Sequence, residues 1–317
     1  MILITGSNGF VGNALFSYLK ESGVKVRGTL RKKSDASEFL DDHFYVGELN
    51  SNTSWKDSLS NVKTVVHTAA TVHQDAKKES KEILETYREV NTAGTINLAK
   101  QSAEEGVKRF IFISTIKVNG ESTGTDNSFK DSDYPNPIDA YSISKFEAEL
   151  GLQKIAQQTG MEVVIIRPTL IYGPGVKANF LSLFNFVSKN YPLPFGLVKD
   201  NRRSFLYIDN LLNLIKVCID HPNAANQLFL VSDGSSLSTF ELILMMRRAL
   251  NQNPRLFNVP LSLFKLAASI SGNRKLLDKL LGSLEVDIQK TCDTLNWKPI
   301  YNTDEGLKRT AQSLSIY

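Results

Sequence analysis

Tyr141 and Lys145 stand four residues apart in Tyr141-Ser-Ile-Ser-Lys145. That spacing puts both side chains on one face of a helix. A tyrosine of ordinary acidity, with a pKa of about 10, is a poor acid–base group at neutral pH. A lysine ammonium one turn away favours the phenolate and brings the phenol towards the working range. Lys145 also has the reach to hold a ribose. Upstream, Ser114-Thr115 closes the apolar run Phe110-Ile-Phe-Ile and offers two hydroxyls to a substrate oxygen on which charge develops. Tyr-x-x-x-Lys alone is common on helix surfaces. Here it follows a glycine turn and a Ser-Thr strand end, a combination that sets it apart from a chance match.

The glycine turn is Thr5-Gly6-Ser-Asn-Gly9-Phe-Val-Gly12, between a first strand and a first helix. Gly6 permits a tight turn, Gly9 lets the backbone approach a pyrophosphate, and Gly12 allows close helix–strand packing. The helix N-terminus presents unpaired N–H groups to the phosphates. Asn8, Phe10 and Val11, beside the three glycines, complete this set of dinucleotide contacts. The spacing is G-x-x-G-x-x-G rather than G-x-G-x-x-G. After the second strand comes Arg31-Lys32-Lys33, where an NAD site usually carries an acid for the ribose 2′-hydroxyl. Cations suit a 2′-phosphate, so the expected cofactor is NADP(H), with NAD(H) as the alternative. The competing reading of the three cations is a solvated charge cluster. Glu48-Leu49 after the third strand is expected beside the adenine. Thr68-Ala69-Ala70 after the fourth is small enough for close approach to the cofactor, or simply for tight packing.

These residues need a sheet to hold them. Met1–Thr5, Val24–Leu30, Val62–Thr68, Phe110–Ser114 and Val163–Arg167 are apolar runs of strand length, alternating with helical stretches. That is the pattern of βαβ units, an α/β fold with a Rossmann-type, doubly wound parallel sheet. The first helix ends before Gly23, and a long helix over Tyr87–Glu105 is closed by Gly106. After Pro168 the chain changes character, with loop signals at Gly173-Pro-Gly, Pro192, Pro194 and Gly196. Ser238-Thr-Phe-Glu241 is a capping box. Helical stretches near 208–220, 238–250, 261–282 and 287–295 then dominate. Residues 1–168 thus read as a nucleotide-binding domain and 169–317 as a smaller, mostly helical substrate lobe. The strand Asn226–Ser232 returns to the main sheet or its edge.

Composition bounds the rest. The chain has 317 residues, 42% of them hydrophobic and 22% charged, which excludes general disorder. A net charge of +4 is too mild to argue for nucleic acid. Two cysteines, Cys218 and Cys292, exclude a disulfide framework and point to a reducing compartment. The four histidines lack metal-ligand spacing, so no metal is expected. Met1-Ile-Leu-Ile-Thr-Gly leads directly into a strand with no room for a signal peptide. No apolar run has membrane-span length; Leu261–Ile270 is interrupted by Ser262, Lys265 and Ser269 and reads as a helix packed on the body. The expected location is the cytoplasm.

Taken together, the motifs resemble the short-chain dehydrogenase/reductase superfamily, in its extended branch, which acts on nucleotide-linked sugars. The match spans nearly the whole chain. It includes Gly6/Gly9/Gly12, His67-Thr-Ala-Ala70, Asn91 with Gly94-Thr95, Ser114-Thr115, Tyr141/Lys145, Arg167-Pro168 with Tyr172-Gly-Pro-Gly175, and Arg203-Ser-Phe-Leu-Tyr-Ile-Asp209. The resemblance implies that Tyr141 is the acid/base, that Lys145 tunes it, and that Thr115 is the hydroxyl beside the reacting oxygen. It adds Asn91 and Pro168 to the cofactor contacts. It further implies that Asn179-Phe180 and Pro194-Phe195-Gly196 line a nucleoside diphosphate, with Phe195 near the base and Arg203 on the diphosphate. Family members commonly form homodimers through two helices per subunit, here those around Tyr87–Glu105 and Tyr141. Three positions depart from the pattern: no acid follows the second strand, Leu170 replaces a common asparagine, and Gly282-Ser-Leu-Glu-Val-Asp287 lacks an arginine found in many epimerases.

The shared step of such enzymes moves a hydride between nicotinamide and a sugar carbon. Dehydration needs an Asp-Glu pair beside the hydroxyl residue, and Ser114-Thr115-Ile116-Lys117 has neither acid. The cation cluster favours an NADP(H)-dependent reduction of the C4 ketone of a UDP-linked N-acetyl-6-deoxyhexosamine, for surface-polysaccharide biosynthesis. The alternative is a UDP-glucose or UDP-N-acetylglucosamine 4-epimerase with tightly held NAD. A non-catalytic dinucleotide-binding scaffold stands third, because both Tyr141 and Lys145 are kept.

Overall fold

Strands β1 (Ile2–Thr5) and β4 (Thr64–His67) are buried at every position, as befits the centre of a parallel sheet covered on both faces. The computed structural model describes residues 1–32, 43–72, 80–124, 127–264 and 281–314. With β2 (Val26–Leu30), β3 (His43–Tyr45), β5 (Arg109–Ile113), β6 (Glu162–Pro168) and β9 (Leu228–Val231), these strands form one seven-stranded sheet. Its order is β3-β2-β1-β4-β5-β6-β9, and every pair in it is parallel. The chain winds outward from β1 in both directions. The crevice at the carboxyl ends of β1 and β4, where Thr5 and His67 are register partners, is therefore the topological switch point.

Alternation along the strands sorts two cores. Ile2, Ile4, Ile111 and Ile113 pack on one face, with α1 (Phe10–Glu21) and α7 (Ile208–Asp220). Leu3, Phe110 and Phe112 pack on the other, with α4 (Gly94–Glu104) and α5 (Ala140–Thr159). The five strand runs and the late strand expected from sequence all belong to this sheet, β9 as its edge.

Three features differ from the sequence expectations. The long helix over Tyr87–Glu105 is interrupted. Helix α3 (Ser80–Tyr87) passes into a π-helical turn, Arg88–Ala93, before α4 begins. A second, three-stranded sheet, β10-β8-β7, lies in the later part of the chain, built from Leu170–Tyr172 (β7), Arg203–Tyr207 (β8) and Ser236–Leu237 (β10). Helix α6 (Ala178–Ser188) and the helix Thr303–Ser313 were not anticipated, although Asn302 and Glu305 form a capping box at the start of the latter. Lys33 and positions 265–280 of the expected 261–282 helix lie outside the described residues. No described helix is long and apolar enough to cross a membrane. No cluster of His, Cys, Asp and Glu able to hold a metal occurs among the described residues.

Asp233, just beyond β9, joins the two sheets. Its carboxylate accepts from the Tyr207 and Asn210 N–H groups at 2.7 Å, from the Tyr172 hydroxyl at 2.8 Å and from the Thr303 hydroxyl at 3.3 Å. Burial raises its pKa against the pull of those donors. Asp233→Ala strands buried donors, and the expected loss is about 2–4 kcal/mol. Urea denaturation checks this as a lower midpoint at unchanged slope.

Candidate active site

The crevice floor is built from glycine. Gly6 lies at φ +67°, a region that side-chain-bearing residues rarely adopt. A Cβ on Gly12 would stand 2.2 Å from the Gly6 carbonyl oxygen, and one on Gly6 would stand 2.9 Å from Ala69 Cα. Gly9 caps α1 without any side-chain bond, so the first helical N–H groups face the crevice mouth. Backbone donors, a positive helix end and a surface cleared of side chains suit a pyrophosphate. The residues present therefore fit a dinucleotide, held by Gly6, Gly9 and Gly12, with exposed Asn8 and half-buried Phe10 and Val11 at the rim. The Thr68 hydroxyl donates to the Thr5 carbonyl at 2.6 Å, locking β4 to β1. Ala69 is small because Gly6 packs on it, so packing and backbone approach act together at that position.

The flanks are less simple. Arg31 and Lys32 are exposed at the end of β2, and Arg31 Nη1 lies 3.9 Å from Glu48 Oε2. Leu49 is not at the surface of the crevice but in the core against Gly94. Asn91, in the π-helical turn, is buried. Its amide nitrogen donates to Thr71 O at 3.0 Å and to Ser144 Oγ at 3.1 Å, and its oxygen accepts from Thr71 N at 2.8 Å. The side chain staples the segment after Ala70 to α5. Pro168 is buried at the end of β6, in register with Val231.

Helix α5 carries Tyr141 and Lys145, as their spacing predicts, and starts at the cap Asp139, whose carboxylate accepts from Ser142 N at 2.7 Å. Lys145 is buried with its ammonium 3.9 Å from the centroid of Phe112. Burial pushes its pKa down to about 7, opposed by Glu149. Beneath it His67 is wedged between Thr5 Oγ1 at 2.7 Å and Thr95 Oγ1 at 2.9 Å. Burial, with the nearby Lys145, drives the imidazole pKa down to about 3, so it is neutral. Tyr141 does not follow the simple expectation. Burial raises its pKa, and Asp139 and Tyr87 raise it further. The Tyr87 ring meets Tyr141 edge-on at 6.1 Å between centroids.

The two hydroxyls after β5 part company. Ser114 Oγ donates to Glu149 Oε1 at 2.5 Å, so it is engaged below the site and does not face a substrate; the two-hydroxyl expectation is corrected to one. Thr115 is half-buried and its Oγ1 accepts from Lys117 N at 3.3 Å. The Glu149 carboxylate is gripped by Arg167, with Nε to Oε1 at 3.0 Å and Nη2 to Oε2 at 2.5 Å. Arg167 Nη1 also donates to Asn119 Oδ1 at 2.8 Å. Sequence reasoning missed Glu149, although it lies four residues past Lys145 and eight past Tyr141, on the same helix face.

The second-lobe residues are placed as follows. Arg203 is half-buried, its pKa lowered by burial, and Nη1 donates to Gly282 O at 3.2 Å. Asn179 is exposed. Phe180 turns into the core, where it stacks on Tyr172 at 5.1 Å. A ring held there does not line a ligand, which corrects that expectation. Phe195 is buried with one face stacked on Phe264 at 5.6 Å.

A switch-point crevice with a glycine turn, and a tyrosine–lysine pair opening the helix beside it, define a dinucleotide-dependent oxidoreductase fold of the short-chain type. Residues 2–231 match the NAD dependent epimerase/dehydratase family, and the chain belongs to it. A UDP-glucose 4-epimerase from Vibrio cholerae is 50% identical over 313 residues, 98% of this chain and 94% of that protein. Two solved structures share the fold. The UDP-N-acetylglucosamine 4-epimerase from Bacillus cereus has a TM-score of 0.78 at 18% identity, covering 99% of each chain. The UDP-glucuronic acid 4-epimerase from Bacillus cereus in complex with NAD has 0.77 at 20% identity, covering 100% of this chain and 99% of that one.

Glu149→Ala leaves the Arg167 guanidinium buried without its carboxylate, and the expected loss is about 3–5 kcal/mol. Replacing both by methionine removes both charges and is expected to lose less than the single change. Urea denaturation of the three proteins decides; a double variant no more stable than the single one contradicts this account of the pair.

Proposed function

We propose that this protein is a 4-epimerase of a UDP-linked hexose that works with NAD held at the glycine turn. The observation that carries the reading is the 50% identity to a UDP-glucose 4-epimerase along nearly the full length of both chains. The reductase expectation rested on Arg31-Lys32-Lys33. Arg31 is 3.9 Å from Glu48, so a 2′-phosphate brought there meets a carboxylate as well as a guanidinium. That pair, and the description of the family as NAD dependent, favour the unphosphorylated cofactor.

In this reading Tyr141 takes the proton of the C4 hydroxyl as C4 loses its hydride, and returns it once the ketone has turned. A nicotinamide cofactor held by Gly6, Gly9 and Gly12 would supply the hydride acceptor and donor for C4, and its positive charge would favour the Tyr141 phenolate. Thr115 donates its hydroxyl to the sugar oxygen on which charge develops. Lys145, buried over Phe112 and one turn from Tyr141, would hold a ribose of the cofactor. Arg203 supplies the cation for the diphosphate, and Asn179 and Phe195 belong to the nucleotide-binding side of the cleft.

Purified protein given UDP-glucose, and no reductant, is expected to produce its C4 epimer, and heat-released cofactor is expected to be NAD. Tyr141→Phe is expected to lower kcat by about 10²-fold or more while the cofactor content stays the same. Turnover only of a UDP-4-keto-6-deoxy sugar, and only with NADPH, replaces this reading with the reductase.

A further inference from the structure

Thr115 and Tyr141 sit on separate segments, and an ion pair spans the gap between them. Lys117 Nζ lies 2.5 Å from Asp139 Oδ2 and 3.1 Å from Glu121 Oε1. On one side, Lys117 N donates to Thr115 Oγ1, closing the 3₁₀ turn Ile116–Val118. On the other, Asp139 is the N-cap of α5, two residues before Tyr141. The side chains of the pair are 36% and 37% exposed, so it adds little to global stability. Its local charge is another matter.

We infer that the Lys117–Asp139 pair is the latch and charge balance of the catalytic couple: it fixes the Thr115 turn against the first turn of α5 and masks a carboxylate beside the Tyr141 phenol. The inference rests on Tyr141 as the proton-moving group. It goes beyond that assignment by naming what sets the tyrosine's readiness to ionise. Among the described residues the groups around Tyr141 are few. Asp139 and Lys145 come from its own helix, Tyr87 from α3, and Lys117 from the 3₁₀ turn, with Glu121 behind Lys117. Glu147 is engaged by Arg88 at 2.7 Å. Next to burial, Asp139 is the largest influence holding the phenol protonated. Burial works against the Asp139 charge, but Lys117 and the Ser142 N–H keep its pKa below the ordinary value, so the carboxylate is ionised and needs a counter-charge.

The signs follow. Lys117→Met unmasks Asp139, disfavours the phenolate and raises the pH at which Tyr141 ionises. Asp139→Asn keeps an N-cap, removes the anion next to the phenol and leaves Lys117 paired with Glu121 alone, which favours the phenolate and lowers that pH. The double variant removes both charges and returns towards the native value. Lys117→Arg keeps the charge and the native profile.

The test is the pH profile of kcat/KM for UDP-glucose on the cofactor-loaded enzyme, with near-ultraviolet phenolate absorbance of each variant referenced to the same variant carrying Tyr141→Phe. The acid limb and the phenolate midpoint are expected to move up by about half a pH unit or more for Lys117→Met and down by a similar amount for Asp139→Asn. The double variant and Lys117→Arg are expected to lie close to the native protein. Single variants that shift in the same direction, or that lose rate with an unmoved midpoint, overturn the inference and leave the pair as a tether only. A native protein inactive on UDP-glucose refutes the proposed reaction instead, and the phenolate titration still decides on the pair.

Discussion

The site depends on a buried carboxylate–guanidinium pair. Glu149 and Arg167 are both almost fully buried. Burying two ions is unfavourable unless geometry and further hydrogen bonds compensate. Here they do: the contact is two-pronged, Ser114 adds a donor to the carboxylate, and Asn119 takes the remaining prong of the guanidinium. The four residues come from the end of β5, the turn after it, α5 and β6. One polar knot thereby sets the distance between the strand end that bears Thr115 and the helix that bears Tyr141 and Lys145. The chemistry lies one layer above the knot, and Ser114 belongs to the knot rather than to the chemistry.

Around it the protein strips charge from the crevice. His67 is held neutral between two threonine hydroxyls, and Lys145 is held close to its deprotonation point against an aromatic face. The ionised groups near the phenol are gathered at the rim, where Lys117 and Asp139 neutralise each other. Burial and the Asp139 charge together hold the Tyr141 phenol in its protonated form.

Much of the fold was legible because the central strands are buried on both faces and therefore read as unbroken apolar runs, and because Gly6 and Gly12 leave no room for alternatives. That Tyr141 and Lys145 share one helix was legible from their spacing; what singled them out was the glycine turn and the Ser-Thr strand end before them. What stayed hidden depends on partners far apart in the chain. The destination of the Ser114 hydroxyl is a residue 35 positions on. Phe180 looked available because sequence does not tell which way a helix's first aromatic turns, and the core claimed it. The cations after β2 suggested a phosphate site, and nothing in the sequence signalled that Glu48, beyond β3, lies 3.9 Å from Arg31. Strands β7 and β10 were missed because they are three and two residues long and lie among proline, glycine and serine, and β8 because it runs out of the charged stretch Asp200-Asn-Arg-Arg203 directly into a helix.

The π-helical turn at Arg88–Ala93 has a bearing on what changes of length this chain tolerates. A helix has a phase, advancing about 100° per residue, and a wide turn takes up about one extra residue without advancing it. Removing a residue from the regular turns of α4 instead swings everything on its N-terminal side by about that angle. Tyr87 would leave its edge-on seat by Tyr141, and its hydroxyl would lose the Val72 carbonyl it now reaches at 2.9 Å. Changes of length are ordinarily absorbed in loops; along this helix the place that already holds a spare residue is the wide turn itself.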